Sequence, residues 1–168
     1  DDCCVVFLVL NMKVALCGFY AKQNFGDDLM AYHLSKVLSM NGLHTVHLFS
    51  DKASDLIENG YSTSAHLSCD VIVIGGGGIV NPDFWAFKNG GLERLKHLNK
   101  PIAFINVNIT PDILKNQNFI DDIKALKAKW WVRTRQSADI LAQIGIAASV
   151  VPDVSFRFGV VPRKHSVG

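Results

Sequence analysis

Asp70-Val71-Ile72-Val73-Ile74-Gly75-Gly76-Gly77-Gly78 is the stretch whose reading decides the fold. Four consecutive β-branched residues favour a strand, and with no polar residue among them both faces of that strand are apolar. A strand apolar on both faces belongs in a parallel sheet with helices on each side. The four glycines after Ile74 admit two readings. They let the backbone approach a ligand closely and turn N–H groups toward an anion, or they serve a tight crossing where any side chain would clash.

Outward from this strand the chain alternates short β-branched runs with helical stretches, as βαβ units require. Upstream, Lys13–Cys17 reads as the first strand, ending at Gly18, and His44–Phe49 as the second. Between them Leu29, Met30, Leu34, Val37 and Leu38 recur at helical spacing. Asp27 and Asp28 begin that helix, where carboxylates complement its dipole, and Gly42 is placed to end it. Downstream come a helix over Gly91–Leu98, a strand over Ile102–Val107, and a helix from Thr110-Pro111 to about Lys127. A strand over Trp130–Arg133, a helix over Ser137–Ile144 closed by Gly145, and a strand over Ser149–Val151 complete the series. The predicted fold class is α/β, doubly wound, with a mainly parallel sheet and helices on both faces.

Composition agrees with that class. Of 168 residues, 49% are hydrophobic and 19% charged, enough apolar surface for one sizeable core. A net charge of +2 and the lack of a Lys/Arg stripe argue against nucleic acid or an anionic membrane as partner. Cys3, Cys4, Cys17 and Cys69 form no Cys-x-x-Cys, so no zinc or redox motif is indicated. Cys17, inside a strand, reads as a small buried hydrophobe of a reducing, cytoplasmic compartment. The run Val5–Leu10 is too short to span a bilayer, which takes about 20 residues, and lacks the flanks of a signal peptide. Residues 1–11 are read as an N-terminal extension, 12–160 as one domain, and 161–168 as a tail or the start of a linker.

In a sheet of this kind ligands bind beyond the carboxyl ends of the strands. The loops after Cys17, Ile74, Val107, Arg133 and Val151 are therefore where function is sought. A P-loop is excluded because Ile79-Val80-Asn81 follows the glycines where Lys and Ser/Thr are needed. NAD is disfavoured because the glycine run follows a later strand and lacks the dinucleotide spacing. Asn24-Phe25-Gly26-Asp27-Asp28 joins the first strand to its helix. Asn24 or Asp27 is there either a capping residue or, for Asp27, a general base to a hydroxyl. Arg133 offers a planar fork to a carboxylate or phosphate, or else makes a surface ion pair. Asp153 binds a ligand or orders its own turn.

Taken in order, these segments resemble the polysaccharide pyruvyl transferase family. The residues concerned are Gly18-Phe19-Tyr20 with Asn24–Asp28, Asp70–Gly78, Lys100-Pro101-Ile102, Val132-Arg133 with Ser137–Leu141 and Ile144-Gly145-Ile146, and Val151-Pro152-Asp153-Val154-Ser155-Phe156. Thr134 departs from the pattern, standing where the family has an acidic residue after the arginine. The resemblance implies one Rossmann-like half of a two-domain architecture like that of GT-B glycosyltransferases. It implies transfer of pyruvyl from phosphoenolpyruvate, as co-substrate and with no cofactor, to two hydroxyls of a sugar or glycolipid acceptor. Asp27 is then the expected catalytic base, with Asn24, Gly26, Gly75, Gly76, Gly77, Gly78, Arg133, Ser137 and Asp153 binding substrate. The chain alone is expected to lack part of the active site and to turn nothing over. Two other readings compete: the acceptor-side domain of a nucleotide-sugar glycosyltransferase, and a non-catalytic module whose apolar flank forms a homodimer.

Overall fold

Runs that are apolar on both sides have to be covered on both sides, and the computed structural model shows how this is done. It describes residues 12–20, 25–41, 43–49, 69–84, 87 and 91–154. Among these the strands are β1 (Met12–Cys17), β2 (Leu43–Phe49), β3 (Val71–Gly77), β4 (Ile102–Val107), β5 (Lys129–Val132) and β6 (Ser149–Val150). The helices are α1 (Phe25–Met40), α2 (Gly91–His97), α3 (Gln117–Ala125) and α4 (Arg135–Gln143). All five pairings are parallel, in the order β2-β1-β3-β4-β5-β6. The α/β, doubly wound class is thus the observed one.

Successive strand residues go to opposite faces. Val14, Leu16 and Val73 pack with Ala31, Leu34 and Leu38 of α1. Ala15, Ile72, Ile74, Phe104 and Val132 pack on the other face with Leu92 and Leu95 of α2, Phe119 and Ile123 of α3, and Ile140 and Leu141 of α4. Each Val, Leu, Ile or Phe among them contributes about 1.5–3 kcal/mol on burial, and the alanines less. Phe104, with no exposed surface, stacks on Trp130 at a centroid distance of 3.8 Å and an interplanar angle of 3°. Phe84 and Phe87 are buried with them and serve as core.

Two elements differ from the sequence reading by more than a residue or two at an end. The helix expected from Thr110 to about Lys127 is divided into a 3-10 turn at Pro111–Lys115 and α3. Asn116 makes the break: its backbone is non-helical (φ −122°, ψ 88°) and its side chain accepts from Phe119 N–H at 3.0 Å. An asparagine at that point caps a new helix more favourably than it continues an old one. The strand read as ending at Ile74 instead runs on through Gly77, because Gly75 and Gly77 keep their pairing with Ile105 and Val107. The extension 1–11, Asn24, Gly42, Trp85, Ser155-Phe156 and the tail 161–168 lie outside the described residues.

Candidate active site

The strand order reverses between β1 and β3, and a crevice opens at the carboxyl ends of the strands flanking such a point. Register brings the ends of β3, β4, β5 and β6 level, with Gly77 paired to Val107, Val107 to Val132 and Val132 to Val150, while β1 stops short of them at Cys17, opposite Ile74. The segments singled out from sequence therefore share one rim of the sheet.

Glycine is required on this rim for two distinct reasons. At Gly75 a Cβ would lie 2.7 Å from Leu34 Cδ1 and 3.1 Å from the Ile105 carbonyl, so a side chain there would have to displace Leu34 and crowd β4. Gly77 has φ +81°, and a Cβ there would come within 2.9 Å of Asp27 Oδ1. The Asp27 carboxylate thus lies directly against the glycine strand. Among the described residues no atom stands within 4 Å of the position a Gly78 side chain would take, so on their side the run ends facing open space.

Asp27 is held in the first turn of α1, with Gly26 exposed beside it. Partial burial raises its pKa above the ordinary carboxylate range, Asp28 raises it further, and Arg133 pulls it back. Arg133 emerges just beyond β5, its main-chain N–H bonded to the Val107 carbonyl at 3.1 Å. Its Nη1 donates to Asp153 Oδ2 at 3.0 Å and lies 3.9 Å from Met30 Sδ. This ion pair is largely shielded, with 24% and 18% of the two side chains exposed, which sets it apart from a solvated surface pair. Of the two readings open for Arg133, the pairing is real, and it lies inside the rim beside Asp27.

Ser137 is placed differently from its neighbours on the rim. It is fully buried, and its hydroxyl bonds to Asn108 Oδ1 at 2.8 Å, lies 2.8 Å from Thr134 Oγ1, and accepts from Ile109 N–H at 2.9 Å. Its partners are protein groups, so it braces the loop after β4. Thr134, the departure from the family pattern, is the N-cap of α4, accepting from Ser137 N–H at 3.1 Å. Threonine and aspartate are both good N-cap residues, which gives the substitution a structural sense.

The structure adds residues that the sequence reading did not place in the site. Tyr20 is buried and its hydroxyl donates to the Gly75 carbonyl. Burial, with the Cys17 thiol and Asp27 nearby, pushes its pKa well above 10.0, so the phenol stays a neutral donor. The Cys17 thiol is pushed up by burial alone. Met30 touches both the glycine strand and Arg133. Phe25, the first residue of α1, is 79% exposed. Asn106 is fully buried in β4. The one legible signal for Asn106 was its polarity inside Ile102–Val107, an otherwise apolar run.

A carboxylate of raised basicity, a shielded arginine and an open glycine turn thus lie together, a set able to accept a proton from a hydroxyl and contact an anion. No helix among the described residues is long and apolar enough to cross a membrane. No curated protein matches the sequence. A family model described as "Polysaccharide pyruvyl transferase" matches residues 24–167, a span holding Asp27, the glycine run, Arg133 and Asp153. The chain belongs to the polysaccharide pyruvyl transferase family.

Proposed function

We propose that this chain contributes the acceptor-activating wall of a pyruvyl transferase, which moves pyruvyl from phosphoenolpyruvate to two hydroxyls of a sugar as a cyclic ketal. The alkene carbon of the donor takes up a proton and becomes a methyl group, leaving an oxocarbenium-like centre at the neighbouring carbon. One sugar oxygen bonds to that centre, the phosphate departs, and the second oxygen closes the ring. Two hydroxyl protons are released; one balances the new methyl group and the other leaves with phosphate. Asp27 takes a hydroxyl proton, a task for which burial makes its carboxylate more basic. Arg133 meets an anionic group of the donor, sharing its guanidinium with Asp153. Exposed Phe25 offers a ring face to the sugar.

The observation that carries this reading is the meeting of Asp27, Gly77 and Arg133 at one rim of a chain in this family. A reducing, cytoplasmic setting belongs to the same proposal, since Cys17 and Cys69 are buried thiols outside any disulfide. Melting-temperature shifts test the assignment: phosphoenolpyruvate should raise the midpoint, and UDP- or GDP-sugars should not. A response to the nucleotide sugars alone would move the chain to the glycosyltransferase reading.

A further inference from the structure

Among the described residues three non-glycines have positive φ. Two of them, Asn99 at 48° and Lys127 at 50°, lie in the turns after α2 and α3. The third, Asn106 at 61°, sits inside β4 and is fully buried. Left-handed backbone within a strand is strained and persists only where its surroundings hold it. The pairing records the effect, since register between β4 and β5 shifts between Ile105 and Val107. Phe104 and Val107 lie in the core beneath α2, α3 and α4, while Ile105 packs on the α1 side. Asn106 is therefore the extra residue of a bulge. Its Nδ2 donates to the Pro152 carbonyl at 3.1 Å, and Pro152 and Asp153 line one cavity with Ile105 and Trp131 on the α1 side.

We propose that Asn106 is a positioning residue for the Arg133–Asp153 pair, an inference that rests on Arg133 being the anion contact. The bulge controls both members of the pair. Val107, the residue after Asn106, fixes the main chain of Arg133 through its carbonyl. Pro152, held by the Asn106 carboxamide, immediately precedes Asp153, whose carboxylate accepts from Arg133. The other end of the same carboxamide supports a role for the donor. Asn106 Oδ1 is buried without a hydrogen-bond partner among the described residues. Turning the amide over would set that oxygen against the Pro152 carbonyl, so the orientation is fixed. Packing alone gives no reason for an orphaned buried acceptor, whereas a side chain retained for its N–H group carries one along.

A double-mutant cycle tests the proposal without any ligand. The coupling between Arg133→Gln and Asp153→Asn is measured by urea unfolding in the native chain and again with Asn106→Gly. Glycine takes φ 61° without strain, so the bulge is kept and only the carboxamide is lost. The coupling should fall to less than half. A role in stability alone would lower all four variants equally and leave the coupling unchanged, which overturns the proposal. In the unaltered protein, NMR should show at least ten-fold slower exchange for one Asn106 Nδ2 proton than for those of exposed Asn118. Equal exchange rates overturn the proposal too, whether or not the glycine variant folds. Neither result depends on phosphoenolpyruvate binding, so failure here and failure of the functional assignment are separable.

Discussion

At the scale of single residues, Asp27 is the group whose behaviour is most specific. Its pKa is raised above the ordinary value of about 3.9, first by burial, then by Asp28, against the pull of Arg133. Carboxyl NMR should therefore find Asp28→Asn moving the Asp27 titration down and Arg133→Gln moving it up. The linkage has a definite sign. With the folded pKa above the unfolded one, the stability Asp27 contributes is complete below the unfolded value and is lost as pH rises through the folded value. Gly77→Ala places a Cβ at φ +81° and against Asp27 Oδ1, and should cost more than about 1 kcal/mol in urea unfolding. Phe25→Ala, by contrast, removes an exposed ring. It should weaken sugar binding several-fold while changing stability by less than about 0.5 kcal/mol. Part of this scale is legible in sequence: the strand ends place Asp27 and Arg133 in loops of the same rim. The pairing of Arg133 with Asp153 was not, because it joins residues 20 apart across a strand whose register the sequence does not state.

At the scale of elements, helix starts decide the loops that carry the site. Thr134 caps α4 and also stands 2.8 Å from Ser137 Oγ, so that one threonine orders both the helix and the loop after β4. Thr134→Ala should cost about 1 kcal/mol, measured as a lower urea midpoint, whereas Thr134→Asp should retain most of it. The strands were readable because their residues are apolar on both faces, as Val71–Ile74 shows most clearly. Three features escaped that reasoning for physical reasons. The break at Asn116 depends on a side-chain bond that competes with helix continuation. The extension of β3 through Gly77 depends on its partner β4, against the low strand propensity of glycine. The bulge at Asn106 is a permission in sequence and becomes a fact only through pairing. Ser137 shows the same limit: its type suits a ligand contact or a brace, and the Ile109 N–H and Asn108 carboxamide select the brace.

At the scale of the whole molecule, one parallel sheet covered by α1 on one face and by α2, α3 and α4 on the other brings distant sequence segments to a single edge. Asp27, Gly77, Arg133 and Asp153 belong to four such segments. The measurement that tests this convergence most directly is an NMR titration of labelled protein with phosphoenolpyruvate. Saturable shifts are predicted at the amides of Asp27, Gly77 and Gly78 and at the Arg133 side chain. Shifts gathered instead at the amino ends of the strands, around Lys13, Val71 and Lys129, or no shifts at millimolar ligand, would contradict the account.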